Sequence, residues 1–191
     1  MNLPNQLTLL RIVLAFAMIF FLMVPGLEAK ACALVTFVLA SFTDLWDGRI
    51  ARKQGIITDF GILMDPIADK ILTLSAFCSF VQLGVTPAWM VVIIATREFL
   101  VTGLRFFALG KGQVLSAEAA GKHKTVSQVV AIFFTLVVLI LRELALRGEG
   151  RAEWVTTGET AIWWLMMLTV ALTLISGCSF LWRHRKVILS L

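Results

Sequence analysis

The sequence predicts an all-α polytopic membrane protein: a bundle of six transmembrane helices that forms a single domain over residues 1–191. Three observations lead to this fold class. Hydrophobic residues make up 59% of the 191 residues and charged residues only 15%, whereas soluble domains carry roughly 25% charged residues. Six apolar stretches are each long enough for one span of about 20 residues. Glycine and proline residues that favour turns separate several of these stretches.

The predicted segments follow one another with short connections. They cover, in chain order, residues 3–24, 30–53, 59–83, 87–109, 123–142 and 160–182. Within the first segment, residues 3–10 are semi-polar, and we expect an N-terminal interfacial helix there that leads into the first span, with Pro4 in its first turn. So little of the sequence lies outside the segments that a large extramembrane domain is excluded.

The distribution of Lys and Arg predicts the orientation in the membrane. If the amino terminus is cytosolic, 13 of the 17 basic residues fall on the cytosolic side and 4 on the outer side. Cytoplasmic loops carry such an excess, so both termini are expected to be cytosolic. Arg11, which precedes most of the first span, is expected to pair with an aspartate or with a lipid phosphate. The net charge of +5 does not indicate nucleic-acid binding, because no compact basic run accompanies it.

Residues 44–70 concentrate acidic side chains in this apolar chain, and ionisable groups at membrane depth are usually functional. Asp44 and Asp47 are three residues apart, so they share one helical face. Asp65 and Asp69 follow on the next segment, four residues apart. A short turn joins the two segments, which are therefore expected to be antiparallel neighbours. Their four carboxylates can then meet at one site.

Four unpaired carboxylates would repel one another, so a positive group must lie among them. Hard divalent cations with oxygen ligands fit best, namely Mg²⁺ or else Mn²⁺ or Ca²⁺. Zinc is not favoured, because His123 and His184 are not near the aspartates. Two metal ions in such a clamp could stabilise the attacking and the leaving oxygen of a phosphoryl transfer. Gly48, Ala51 and Gly61 leave room beside the acids for a flat or bulky ligand.

Residues 44–69 contain the pattern D-x2-D-G-x2-A-R-x8-G-x3-D-x3-D. At all eight fixed positions this stretch resembles the signature of the CDP-alcohol phosphotransferase family. The resemblance implies a six-helix membrane bundle, usually a homodimer, in which an acceptor hydroxyl displaces CMP from a CDP-linked lipid or alcohol. Together with the charge distribution, it implies a protein of the bacterial cytoplasmic (inner) membrane whose active site faces the cytosol.

The resemblance also implies roles for individual residues. Asp69 would be the general base for the acceptor hydroxyl. Two divalent metal ions, Mg²⁺ with Mn²⁺ as the alternative, would be held by Asp44, Asp47, Asp65 and Asp69. The CDP-linked lipid would be bound by Asn5, Thr8, Asp47, Gly48, Ala51, Arg52 and Gly61, with Asn5 and Thr8 at the cytidine end.

Basic residues after the signature predict the acceptor. Arg97 and Arg105 are eight residues apart on one face of the fourth segment, and Lys122 and Lys124 open the fifth segment on the same side. Four cations near the aspartates suit the dianion of glycerol 3-phosphate, since arginine offers a bidentate fork. The stretches NLPNQLTLLR, MDPIADK, TREFLVTGLR and GKHKT also resemble the branch of the family that uses this acceptor. The predicted substrates are therefore CDP-diacylglycerol and glycerol 3-phosphate.

Two alternatives stay open at this point. A sibling of the same family would use phosphatidylglycerol, an inositol phosphate or serine as its acceptor. An ion or proton transporter would use the acidic cluster as a relay. A transporter, however, needs carboxylates near mid-membrane that are accessible from both sides, and the outer half of these segments offers no matching polar path.

Overall fold

Six α-helices make up the computed structural model, which describes residues 3–54, 59–112 and 119–190. Within these ranges it describes the side chains except those of residues 3–5, 44–54, 59–63, 65, 119, 120, 122, 152, 186, 187, 189 and 190. The helices are, in chain order, α1 Leu3–Met23, α2 Leu27–Gln54, α3 Asp59–Gln82, α4 Ala88–Gly110, α5 Ala119–Leu146 and α6 Ala152–Ser190. No strand occurs in the described ranges, and the all-α prediction is confirmed.

The first four helices match their predicted segments to within three residues at each end, whereas α5 and α6 extend further at their polar ends. α5 begins at residue 119 and ends at residue 146, beyond the predicted 123–142. α6 covers residues 152–190, beyond the predicted 160–182. Hydropathy marks the apolar middle of a span, whereas helical hydrogen bonds continue into polar flanks until a residue that favours a turn. Gly148, with a φ of 79°, is such a residue just after α5.

The predicted interfacial helix over residues 3–10 is not a separate element. These residues form the first turns of the continuous helix α1. Thr8 and Arg11 lie one turn apart on α1 and are only 1% and 0% exposed, so this part of the helix packs into the bundle. Of the polar side chains in this stretch that the structure describes, Thr8 is buried and Gln6 is exposed, so an interfacial position for residues 3–10 stays a prediction.

Contacts at the two ends of the bundle show that successive helices alternate in direction. At one end, Arg11 near the start of α1 contacts Asp69 in the first half of α3. At the opposite end, the Lys30 Nζ near the start of α2 donates a hydrogen bond of 2.6 Å to the Leu22 carbonyl near the end of α1. α2 and α3 contact each other and are linked by four residues. One end of the bundle therefore carries the starts of α1 and α3 together with the end of α2.

All six helices contribute to one hydrophobic core. Core side chains, one from each helix in order, are Met18, Phe37, Phe77, Ile94, Ile132 and Met166. Burial of apolar side chains at this shared contact fixes how the helices pack and hence which polar residues meet at the ends.

The outer surface is strongly apolar. Large side chains that point outwards and are more than half exposed include Phe16, Phe20, Val92, Phe99, Trp164 and Ile175. Soluble monomers rarely expose contiguous apolar surface of this kind. Among the described residues, three helices are long and apolar enough to cross a membrane, in the windows Gln6–Met23, His123–Leu146 and Glu153–Arg185. These features are those of a multi-pass membrane protein.

Candidate active site at the charged end of the bundle

Charged side chains from α1, α3, α4 and α5 gather at the end of the bundle where α1 and α3 begin. Lys124 near the start of α5 contacts Glu98 of α4, and Arg97 of α4 contacts Ser176 in the second half of α6. The helices that start here are therefore α1, α3 and α5, and those that end here are α2, α4 and α6. We call the following residues the charged end: Arg11, Asp69, Lys70, Arg97, Glu98, Arg105 and Lys124.

Asp69, the predicted general base, is paired with Arg11. The Arg11 Nη1 atom donates a hydrogen bond of 2.7 Å to the Asp69 Oδ1 atom. The Arg11 side chain is fully buried, whereas the Asp69 side chain is 51% exposed. A buried guanidinium requires an anionic partner, and Asp69 provides one. The pair confirms the expectation that Arg11 would meet an aspartate, and it orients the Asp69 carboxylate, whose side chain is half exposed.

Of the four predicted metal ligands, only Asp69 has a described side chain. The backbones of Asp44 and Asp47 belong to α2 and that of Asp65 to α3, so the helical spacings of three and four residues that the prediction needs are present. No group of three metal-binding side chains occurs among those that the structure describes. The donor set itself is made of carboxylate oxygens, which suits a hard divalent cation, and the accessible Asp69 carboxylate fits such a role.

Thr8 is the predicted donor-binding residue whose side chain the structure describes. It is 1% exposed and lies on α1 three residues before Arg11, so both face the interior of the bundle at the charged end. The other residues predicted to bind the CDP-linked lipid have only their backbone described. These are Asn5, Asp47, Gly48, Ala51, Arg52 and Gly61.

Glu98 forms ion pairs with two of the cations that are predicted to bind the acceptor, Lys124 and Arg97. It is 8% exposed, and its Oε1 atom accepts a hydrogen bond from the Lys124 Nζ atom, which is itself buried. The same Oε1 atom lies 3.3 Å from the Arg97 Nη1 atom. Sequence reasoning gave Glu98 no role, although one acid within the apolar fourth segment was a signal that it needs a buried partner.

The two arginines of α4 that are predicted to bind the acceptor both contact α6. The Arg97 Nη2 atom donates a hydrogen bond of 2.7 Å to the Ser176 Oγ atom. The Arg105 guanidinium lies over the Phe180 ring, with 5.3 Å between the Arg105 Cζ atom and the ring centroid. Arg97, Arg105 and Lys124 therefore lie toward the same end of the bundle, and their role in binding an acceptor stays a prediction. The Lys122 side chain lies outside the described ones.

Lys70 is a further cation of this group that the sequence reasoning did not assign. It is half-buried on α3, next to Asp69 in the chain, and it lies close enough to Glu98, Arg97 and Arg105 for their charges to act on it. The sequence indicated a role for Lys70 only weakly, because a lysine near the cytosolic end of a span is usually part of the positive-inside charge.

The charges of this end can bind an anion beside an oriented carboxylate. Among the described side chains of this group, the four cations Lys70, Arg97, Arg105 and Lys124 outnumber the one buried acid, Glu98. Asp69 is the residue before Lys70 in the chain and lies beside this group of cations. This arrangement suits a reaction in which an anionic molecule is held by cations and loses a proton to a carboxylate.

Comparison with known proteins agrees with this chemistry. Residues 1–175 match the family described as CDP-alcohol phosphatidyltransferase. The chain is 41% identical over 143 residues to a Bacillus subtilis protein named CDP-diacylglycerol–glycerol-3-phosphate 3-phosphatidyltransferase, covering 69% of this chain and 74% of that protein. It is 37% identical over 180 residues to the Rickettsia typhi protein of the same name, covering 94% of each.

A third relative carries an equivalent name. The Mycobacterium tuberculosis protein named probable phosphatidylglycerophosphate synthase is 43% identical over 134 residues, which cover 69% of this chain and 64% of that protein. Both the match over residues 1–175 and the relatives at this identity lead to one conclusion. The chain belongs to the CDP-alcohol phosphatidyltransferase family.

Proposed function

We propose that this protein transfers the phosphatidyl group of CDP-diacylglycerol to the 1-hydroxyl of sn-glycerol 3-phosphate, releasing CMP and forming phosphatidylglycerophosphate. The observation that carries the proposal is the accessible Asp69 carboxylate, fixed by Arg11 and placed beside a group of cations that suits a phosphate dianion. The names of the relatives agree with this reaction. It is a step of phospholipid biosynthesis.

Asp69 acts as the general base in this reaction. It accepts the proton of the acceptor hydroxyl while that oxygen forms a bond to the phosphatidyl phosphorus, and the bond from this phosphorus to the CMP oxygen breaks. The hydrogen bond of 2.7 Å from Arg11 fixes the orientation of the carboxylate. Holding the hydroxyl, the base and the phosphorus together accounts for much of the rate enhancement in such a site.

Two divalent cations, Mg²⁺ or Mn²⁺, belong to the proposed site. They would be held by the carboxylates of Asp44, Asp47, Asp65 and Asp69. Bound there, they neutralise the diphosphate of the donor and the charge that develops on its leaving oxygen. Support comes from the all-oxygen donor set and from the helical spacing of these four residues on α2 and α3.

The donor and the acceptor occupy different parts of the charged end. The CDP moiety of the donor is bound by Asn5, Thr8, Asp47, Gly48, Ala51, Arg52 and Gly61. The acceptor phosphate is bound by Arg97, Arg105, Lys122 and Lys124. Support for the acceptor assignment is that three of these four cations lie together at one end of the bundle.

The membrane topology follows from the same charges. All six helices span the bacterial cytoplasmic (inner) membrane as one domain over residues 1–191, with both termini and the charged end in the cytosol, where glycerol 3-phosphate is dissolved. The apolar outer surface and the alternating directions of the helices support this topology. The protein acts as a homodimer, as the family resemblance implies.

A single assay tests the proposed reaction. Purified protein with Mg²⁺ and CDP-diacylglycerol is offered glycerol 3-phosphate, an inositol phosphate, serine or phosphatidylglycerol, and CMP release is measured for each. Release with glycerol 3-phosphate alone is the expected result. Release with none of them would exclude the transferase, and release only with another acceptor would identify the protein as a sibling enzyme.

A further inference from the structure

The end of α6 contacts both arginines that the proposed function assigns to the acceptor phosphate. Ser176 and Phe180 are four residues apart and share one face of α6. Each is 2% exposed. Ser176 accepts the hydrogen bond from the Arg97 Nη2 atom, and the Phe180 ring lies under the Arg105 guanidinium.

Gly177 adds a steric element to the same face. A methyl group at this position would lie 3.1 Å from the Arg97 Cγ atom, closer than an ordinary van der Waals contact. The absent side chain lets the stem of Arg97 pass close to the α6 backbone, so that its guanidinium can reach Ser176. Ser176, Gly177 and Phe180 thus form a surface that determines where the two guanidinium groups lie, and we call it the α6 support.

The α6 support makes a hydrogen bond and a cation–π contact in addition to apolar packing. Arg97 is bound at both terminal nitrogens, by Glu98 through Nη1 and by Ser176 through Nη2, so its plane is fixed. Phe180 packs against Val101 and Ala108 of α4, which keeps its ring beneath Arg105. An arginine held in this way loses less conformational freedom when it binds a phosphate.

The α6 support lies beyond residues 1–175, the part of the chain that matches the family. The signature residues for the CDP-linked donor, 44–69, fall inside that match. We propose that Ser176, Gly177 and Phe180 are positioning residues for the acceptor, which hold Arg97 and Arg105 in the orientation that binds the phosphate of glycerol 3-phosphate. This inference rests on the proposed function, and it assigns a role to a helix that otherwise reads as a plain membrane span.

We expect the α6 support to affect the binding of glycerol 3-phosphate and not that of CDP-diacylglycerol. None of its residues carries a charge, so replacing them leaves the electrostatic potential of the charged end nearly unchanged and alters only the orientation of the arginines. Affinity for glycerol 3-phosphate should therefore fall, while the chemical step and the binding of CDP-diacylglycerol stay as they are.

The test measures steady-state CMP release by the full-length enzyme as each substrate is varied. Ser176→Ala and Phe180→Leu are expected to raise KM for glycerol 3-phosphate about fivefold, the effect of losing one ordinary hydrogen bond or cation–π contact. kcat and KM for CDP-diacylglycerol should stay within about twofold of their original values. Ser176→Thr keeps the hydroxyl and Phe180→Tyr keeps the ring, so both should retain most of the original affinity.

Thr173→Val is the matched control. Thr173 lies on α6 one turn before Ser176 and is fully buried, and its hydroxyl has no hydrogen-bond partner among the described residues. This variant removes a buried hydroxyl from the same helix without removing a hydrogen bond to either arginine, and its KM values should not change. If Phe180→Leu fails to fold, Gly177→Ala provides a second variant, since its added methyl group pushes on Arg97 and should raise the same KM.

Calorimetric binding of glycerol 3-phosphate in the absence of the donor separates the two proposals. A higher Kd in Ser176→Ala than in the original protein is evidence for the role of the α6 support, irrespective of the rate of CMP release. Unchanged affinity in all three support variants, or an equal rise of KM for both substrates, would overturn it. Failure of the original protein to release CMP with glycerol 3-phosphate, despite binding it, would refute the proposed function instead.

Discussion

Arg11 and Asp69, 58 residues apart in the chain, are joined by a hydrogen bond of 2.7 Å from the Arg11 Nη1 atom to the Asp69 Oδ1 atom. One partner is fully buried and the other is half exposed. The pair therefore connects the interior of the bundle with the accessible face where a substrate would arrive. It also links α1 to α3, the helix that carries two of the four aspartates of the signature.

Asp69→Asn should abolish turnover far more than it weakens donor binding. An amide cannot accept the hydroxyl proton, so kcat is expected to fall about 100- to 10,000-fold, the usual contribution of a general base. CDP-diacylglycerol binding, measured by titration, should weaken much less. Glu149→Gln, an exposed acid outside the charged end, serves as the control and should keep full activity. Unchanged turnover in Asp69→Asn would remove the assignment of Asp69 as the base.

Arg11→Met should lower kcat without changing KM for glycerol 3-phosphate. The variant removes the group that orients Asp69, and a small misplacement of a reacting group can cost as much as about 100-fold in rate. Arg11→Lys keeps a positive charge but loses the planar fork, so it should recover only part of the rate. A rise in KM for glycerol 3-phosphate with kcat unchanged would instead identify Arg11 as a ligand of the acceptor.

The sequence predicted most of the fold because its pattern is local. Each apolar segment specifies its own helix through burial and internal hydrogen bonds, and short connections make successive helices alternate in direction. The pairing of Arg11 with an aspartate was also predictable, since a charge near an apolar span needs a counter-charge. The continuity of residues 3–10 with the rest of α1 was not, because a semi-polar composition does not show whether a helix ends at the membrane surface or continues into the span.

The partners of Arg97 and Arg105 could not be predicted from one sequence. Arg97 and Ser176 are 79 residues apart, and a serine in an apolar helix carries no sign of the helix it will contact. Phe180 is likewise indistinguishable from any aromatic residue of a membrane span. Glu98 was visible as an isolated acid, but its pairing with Lys124 depends on how α4 packs against α5, which only the tertiary structure determines.

The buried pair of Glu98 and Lys124 should matter for stability. Glu98→Gln leaves Lys124 and Arg97 without their shared counter-charge, at a cost of about 3 kcal/mol or more in the free energy of unfolding. Lys124→Met should destabilise less, because Glu98 keeps Arg97 as a partner. Replacing both residues should recover only part of the loss, because Arg97 still lacks Glu98 as its counter-charge. The midpoint of thermal unfolding in detergent measures each effect.

A surface pair offers the matched control for this cycle. Glu28 and Arg147 lie 3.3 Å apart at the opposite end of the bundle, and both are well exposed. Exposed pairs contribute only about 0–1 kcal/mol, so Glu28→Gln should hardly change the midpoint. Equal shifts in Glu28→Gln and Glu98→Gln would show that the burial of Glu98 has no energetic consequence.

Removal of divalent cations should stop the reaction and leave the fold intact. Chelation is expected to lower CMP release at least about 100-fold, since a metal at a phosphoryl oxygen contributes several kcal/mol to the transition state. Added Mg²⁺ should restore it, and Asp44→Ala should raise the Mg²⁺ concentration needed. The helical circular dichroism should not change, because the core of Met18, Phe77 and Ile132 lies outside the charged end. Full activity in excess chelator would refute the metal assignment for all four aspartates, because repulsion among them would then have to be relieved by protein cations alone.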